Sequence, residues 1–406
     1  MTTIDNNKIP VMRVTRAGDE VKLGVVAHDP HSPEKTSFVA ISHVWVDGLG
    51  STSEKGLPSC QVIRLAKSVA SLTEGGDTQF WMDSLCIPEA QRQRKKAIGT
   101  MREVYQNAVA VLVIEKTIAK ISKDAKPMDK FWAILSSSWA QRLWTYQEGY
   151  LAAKVFMLVA DEQLIEMRPP FDEVLDIMRR HARTAAFHYL LEGMVALRPR
   201  DKAETDIDMG FAADALSWRT TSKATDETIA IAALFDIDSD RLISVEGSEA
   251  RMRAFFLMVG RTPWDIIFHD TPRLSAPGFR WAPASLLARA REGFGRSSGD
   301  PEVLCTEDGL LGRYFVLCLS GDPRPLVQGL AAVCRADGGG EMTIGCVDDT
   351  NATPVAQLFN AIIFRSVQSE DKNPKQLPQQ RFWWGRAVAV LLRDEVLRED
   401  HRSPSG

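Results

Sequence analysis

The feature that most constrains this chain is the alternation, between residues 38 and 114, of short apolar runs with stretches of helical periodicity. Phe38-Val39-Ala40-Ile41-Ser42-His43-Val44-Trp45 is apolar, ends in polar residues and feeds a Gly-containing loop from Asp47 to Gly56. Phe80-Trp81-Met82-Asp83-Ser84-Leu85-Cys86-Ile87-Pro88 is a second run, interrupted by Asp83 and stopped by Pro88, and Ala108 to Ile114 is a third. Short apolar runs bounded by turn formers read as strands buried on both faces. Between them Val62, Leu65, Ala66, Val69 and Leu72 recur at the spacing of one helical face, as do Ala97, Ile98, Met101, Val104, Tyr105 and Ala108. Strand, helix, strand, helix, strand with short links predicts a parallel sheet with helices on both faces, because each crossover must bring its apolar stripe back to the sheet.

After a polar, Lys-rich connection from Lys116 to Lys130, the stretch Ser138 to Glu148 reads as the start of a helix, and Val155 to Ala160 as a further strand. The fold class is therefore α/β, a flavodoxin-like layer over residues 1–165, followed by a mixed, largely helical region over 166–406 with a further subdivision at 293–300. Arg168-Pro169-Pro170 marks the boundary. Beyond it the patterns predict a helix from Phe171 to Leu197, strands at Tyr314 to Leu319 and Met342 to Val347, and a closing helix from Arg386 to Leu397.

Open α/β sheets bind ligands outside the carboxyl ends of their strands. Ser42 and His43 stand at such an end, where a histidine either bonds a loop or faces a ligand. Asp83 stands at the end of the second run; it either accepts loop amides or binds a ribose hydroxyl or a cation. Trp144 and Glu148, four apart, share a helix face, so an indole is expected beside a carboxylate. Glu148, near the start of that helix, is expected to be helped as an ion by the helix dipole, while Trp139, Trp144 and Tyr146 limit its access to water. The alternative is a helix start with core tryptophans and a solvated glutamate. Cys86, among apolar neighbours, reads as an inert protonated thiol.

A formal charge of −4 and a pI near 6.0 give no general attraction to nucleic acid. No apolar run approaches the ~20 residues of a membrane span, and the first residues lack the order of a secretory signal, so a cytoplasmic location is expected. The six cysteines form no CxxC pair or Cys/His cluster, which argues against structural zinc and a disulfide scaffold. No metal is expected at the site.

Four segments carry a family resemblance: Phe38 to Trp45, Phe80 to Ile87, Met101 to Ala108 and Arg142 to Glu148 resemble, in order, the signature blocks of the heterokaryon incompatibility (HET) domain of filamentous fungi. The sequence departs from that pattern in lacking the glycine that often follows the tryptophan of the first block, and in having Pro88-Glu89 where an Asn/Gln-Asp pair is common. HET domains are more distantly similar to the TIR fold, and Trp144 and Glu148 are similar to the Trp-x-x-x-Glu of the TIR helix, whose glutamate is catalytic in TIR enzymes that hydrolyse NAD. The segment from Trp218 to Glu227 also resembles a stretch found downstream in fungal HET proteins.

The resemblance implies a cell-death effector of self/non-self recognition, with Glu148 catalytic and Ser42, His43, Trp45, Asp83, Arg142 and Trp144 binding the substrate, NAD or a related nucleotide. It implies no cofactor beyond that substrate. The partners implied are further copies of the chain, assembled through the HET domain, and an unidentified incompatibility protein. Two alternatives stay open: a self-assembling signalling module without chemistry, and a hydrolase of another nucleotide glycosidic bond. The absence of a GxGxxG loop argues against a dehydrogenase.

Overall fold

The computed structural model describes residues 3–17, 20–32, 37–73, 78–168, 172–174, 209–269, 271–288 and 302–311, with seven short strands beyond them, 315–318, 324–325, 332–335, 341–344, 358–359, 361–364 and 387–390. The expected helix from Phe171 to Leu197 and the subdivision at 293–300 lie largely or wholly outside the described residues. The chain divides into two compact units, one made of Met1–Pro263 with His269–Leu310, the other of Trp264–Phe268 with Leu311–Gly406.

The first unit is built on a seven-stranded sheet. An antiparallel hairpin, β1 (Ile9–Ala17) and β2 (Glu20–His28), forms one edge. The centre is four parallel strands, β3 (Val39–His43), β4 (Gln79–Met82), β5 (Ala110–Ile114) and β6 (Val155–Leu158), and β7 (Leu164–Glu166) closes the other edge antiparallel to β6. The order is β2-β1-β4-β3-β5-β6-β7. Taken in chain order, the parallel strands run 2-1-3-4, as in flavodoxin-type sheets, with the reversal of winding between β3 and β5. Every residue of β3, β4 and β5 is buried, which is why these strands are continuous apolar runs rather than alternating ones.

The crossovers follow the predicted periodicities. Helix α1 (Ser59–Ala70) joins β3 to β4 and buries Val62, Leu65, Ala66 and Val69. Asp83 opens a single turn, α2 (Asp83–Cys86), and the second crossover is split by Thr100 into α3 (Gln91–Gly99) and α4 (Met101–Asn107). The Lys-rich connection contains one more helix than its polarity suggests, α5 (Pro127–Leu135), which buries Phe131 and Ile134 and starts on a proline that fits a first helical turn. The expected helix at Ser138 is two, α6 (Ser138–Gln141) and α7 (Trp144–Tyr150), separated by Arg142 in extended conformation.

Among the described residues four more helices follow in this unit, α8 (Met209–Leu216), α9 (Glu227–Ala232), α10 (Ser239–Ile243) and α11 (Ser248–Val259), so the region after the sheet is helical as predicted. A strand pair, β8 (Arg261–Pro263) with β9 (Glu302–Thr306), comes after them. In the second unit Phe315–Cys318, Ala361–Phe364 and Ala387–Val390 form an antiparallel three-stranded sheet. Of the expected closing helix from Arg386 to Leu397, the described residues, Ala387–Val390, form a strand instead, and the rest lie outside the described residues.

Candidate functional site

The carboxyl ends of β3, β4 and β5 gather three short-range polar systems. The first starts at the last residues of β3. Ser42 is 1% exposed and lies between two elements: the Trp139 Nε1–H donates to Ser42 Oγ at 2.6 Å, and Ser42 Oγ in turn donates to Glu148 Oε2. Trp139 comes from α6 and Glu148 from α7, so the break at Arg142 aims two helices at one strand end. Glu148 is only 8% exposed. Burial pushes its carboxyl up to about 7, with the nearby charge of Asp83 adding to the rise; the Ser42 hydrogen bond, Arg142 and His43 work the other way. The buried Tyr105 hydroxyl of α4 is raised well above its ordinary range, first by burial and then by the negative charges of Glu148 and Asp83.

The second system is His43, Asp83 and Trp45. His43 Nε2 lies 2.7 Å from Asp83 Oδ1, and the exposed Trp45 indole donates to Asp83 Oδ2 at 2.7 Å. The Ser84 amide also donates to Oδ1, at 2.6 Å. Burial works against the charge on Asp83, yet the bond and attraction of His43, with the bonds from Trp45 and Ser84, outweigh it and hold the carboxyl below its ordinary range. His43 Nδ1 is buried and has no hydrogen-bond partner among the described residues.

The third system is Glu115, directly after β5 and 1% exposed. Its Oε2 accepts the amides of Thr117 at 2.8 Å and Ile118 at 2.9 Å, and its Oε1 accepts Ser138 Oγ at 2.9 Å. These bonds tie the loop after β5 to the start of α6, a structural role that leaves little acceptor capacity free.

Two expectations change. The ring linked to the Glu148 carboxylate through Ser42 is that of Trp139; Trp144, one turn from Glu148 on α7, instead directs Nε1 at Asp226 Oδ2, 3.3 Å away. Glu148 is also not at a helix start. Because α7 begins at Trp144 and ends at Tyr150, Glu148 sits in its last turn, where the helix dipole disfavours an anion. Arg142 turns back to the sheet, its Nη1 donating to the His43 carbonyl at 3.3 Å. Cys86 is as expected: buried, with burial pushing its thiol up to about 12.

Besides Glu115, a second residue at the site, Arg219, was not singled out by the sequence. Arg219, 4% exposed, donates from Nη1 to the Arg142 carbonyl at 2.8 Å and to Thr145 Oγ1 at 3.2 Å, and its guanidinium lies 4.7 Å from the centre of the Tyr146 ring. The only signal was its place in the Trp218 to Glu227 stretch.

Chemically, the arrangement offers a buried carboxyl that titrates near neutrality, oriented by a hydroxyl, beside a second carboxylate held ionised. It lies at the carboxyl ends of β3 and β4, next to the reversal of winding where sheets of this kind take ligands. No curated protein and no solved structure matches the chain. Residues 38–125, the segment that contributes Ser42, His43, Trp45 and Asp83 but ends before α6 and α7, match the family model described as Heterokaryon incompatibility protein (HET), and this match supports a heterokaryon incompatibility domain in the chain.

Proposed function

We propose that this site hydrolyses the bond between nicotinamide and ribose in NAD, and that the reaction serves a cell-death role in heterokaryon incompatibility. The incompatibility role draws on the family match over residues 38–125. The chemistry draws on one observation above the others: a Glu148 carboxyl, buried and raised to about 7, held by Ser42 at the carboxyl edge of the sheet.

Such a group suits the reaction for two reasons. As the C1′–N bond breaks, its electron pair leaves on nicotinamide, which departs neutral, and positive charge develops on the ribose. An ionised Glu148 in a low-dielectric setting stabilises that charge more than it stabilises the substrate. Water then adds to C1′ and gives its proton to Glu148, whose raised pKa makes it a better base than an ordinary carboxylate. The products are nicotinamide, ADP-ribose and a proton. The leaving group needs no protonation, so one carboxylate suffices where most glycosidases use two. Asp83, kept ionised, is suited to a ribose hydroxyl.

The test is nicotinamide release from NAD by the purified full-length protein, measured at high protein concentration so that any assembly is present. Wild type is expected to release nicotinamide, and Glu148→Ala to lose at least about 100-fold of the rate. Equal inactivity of both proteins, each folded, would overturn the reaction and favour a signalling module without chemistry.

A further inference from the structure

Glu148 and Trp139 meet at Ser42 only because α6 and α7 join at a fixed angle, and the groups that fix this angle come from far along the chain. Where α6 stops and α7 starts, the Gln141 and Arg142 carbonyls and the Leu143 amide find their partners outside the two helices. The Thr220 amide donates to the Gln141 carbonyl at 2.7 Å, the Leu143 amide donates to the Thr220 carbonyl at 3.0 Å, and Arg219 Nη1 occupies the Arg142 carbonyl. Arg142 and Thr220 thereby form a parallel bridge. Thr145 Oγ1 closes the corner from within: it accepts from Arg219, and its one proton lies within reach of both the Trp139 and the Arg142 carbonyls. Asp226 then holds the Trp144 indole.

Arg219 is the unusual member of this set. Burying a guanidinium is costly unless its charge is compensated, yet among the described residues its hydrogen-bond partners at the corner are a carbonyl and a hydroxyl, with the face of Tyr146 beneath it. A fork of fixed donors can bond two acceptors from one rigid plane, which an amide bond from a neighbouring strand cannot do. Burial lowers the pKa of this guanidinium to about 10, with the charges of Tyr146 and Glu148 working the other way.

We infer that Arg219 is a positioning residue for Glu148, and that the reactive site is completed by residues 219–226 rather than contained within residues 1–165. The inference rests on the reading of Glu148 as the group that meets the ribose. Its structural half, the clamp on the corner between α6 and α7, is measurable without any reaction.

The experiment compares full-length wild type, Arg219→Gln and Arg219→Lys in two assays. Amide hydrogen exchange is followed by mass spectrometry over α7 and, as an internal reference, over β3 and β5. Nicotinamide release from NAD gives kcat and KM separately. In Arg219→Gln, exchange over α7 is expected to rise while the strands exchange as in wild type. Its kcat should fall about 10- to 100-fold with KM within about threefold, since a small misplacement of a reacting group has effects of that size. Arg219→Lys, which keeps the charge but not the planar fork of donors, should recover part of both. Unchanged exchange over α7 in Arg219→Gln overturns the inference, as does a wild-type kcat in that variant or faster exchange in β3 and β5 to the same degree as in α7. If wild type itself releases no nicotinamide, the proposed reaction falls, and the exchange of α7 alone still decides whether Arg219 holds the corner.

Discussion

The Nε1–H of Trp139 reaches Ser42 Oγ at 2.6 Å, and this bond decides what the serine can do. A hydroxyl has one proton to give; with the indole donating to its oxygen, that proton is turned onto Glu148. Ser42 is thereby an orienting group for a carboxylate, and the donation favours the ionised form of that carboxylate.

Removing this donor shifts a pH profile. If Glu148 must be ionised to act, the rate of nicotinamide release rises with pH through about 7, the value to which burial carries its carboxyl. Ser42→Ala deletes the bond that holds that value down, so the rising limb is expected to move to higher pH, with activity recovered in part at alkaline pH. The measurement is kcat/KM from pH 5 to 9 for both proteins; superimposable limbs would separate Ser42 from the titration of Glu148.

Glu148 also costs stability. Its folded pKa lies above its ordinary value of 4.5, so the folded state binds more protons than the unfolded one between 4.5 and about 7. Stability associated with this group is full below 4.5, declines across that window and is lost above 7. The difference corresponds to roughly 3 kcal/mol at most. Glu148→Gln, which keeps an acceptor for Ser42, is expected to be more stable than wild type at pH 8 and similar to it at pH 4.5, while losing activity. Urea unfolding at the two pH values checks both signs.

Gly149 lies on α7 against the ring of Trp139. A Cβ placed there would come within 3.2 Å of Trp139 Cη2 and 3.4 Å of Cζ2. Alanine would gain up to about 1 kcal/mol of helix propensity over glycine, but crowding a packed interior costs about 1–3 kcal/mol, and Trp139 is 1% exposed with its N–H committed. Crowding is expected to win, with Gly149→Ala less stable by about 1 kcal/mol and its Trp139 bond to Ser42 weakened. Thermal unfolding and nicotinamide release report the two effects; a Gly149→Ala protein more stable than wild type and fully active would show that the ring moves freely.

Asp83 has the opposite linkage to Glu148. Its carboxyl is held below its ordinary range, so the stability it contributes is present above the ordinary aspartate pKa and is lost as pH falls through the depressed one. Asp83→Asn removes a charged acceptor shared by His43, Trp45 and the Ser84 amide, a loss on the order of 1–3 kcal/mol. The deficit relative to wild type should be present at pH 7 and narrow toward pH 3 in denaturant unfolding. The freed Trp45 should show altered fluorescence at neutral pH.

Much of the α/β layer was legible because it depends on local pattern. The strands β3, β4, β5 and β6, the helical stripe of α1 and the placement of Ser42, His43 and Asp83 at strand ends follow from apolar runs, periodicity and chain breaks. Features set by partners distant in sequence were not legible. Arg142 breaks the helix because Thr220 and Arg219 receive its corner; Ala387–Val390 is a strand because Ala361–Phe364 lies beside it.

By itself, the sequence determined a parallel sheet whose carboxyl edge carries Ser42, His43 and Asp83, since burying a strand on both faces demands an unbroken apolar run and leaves polar residues only at its end. Only the tertiary structure decided that Trp139 rather than Trp144 is tied through Ser42 to Glu148, that Glu148 lies in a last helical turn with its carboxyl raised by burial, and that Arg219 holds the corner between α6 and α7. These depend on which side chains meet across 97, 106 and 77 positions of chain, as in the contacts of Ser42 with Trp139, Ser42 with Glu148 and Arg142 with Arg219. Spacing along a helix reports neighbours three or four residues away and carries no information at that range.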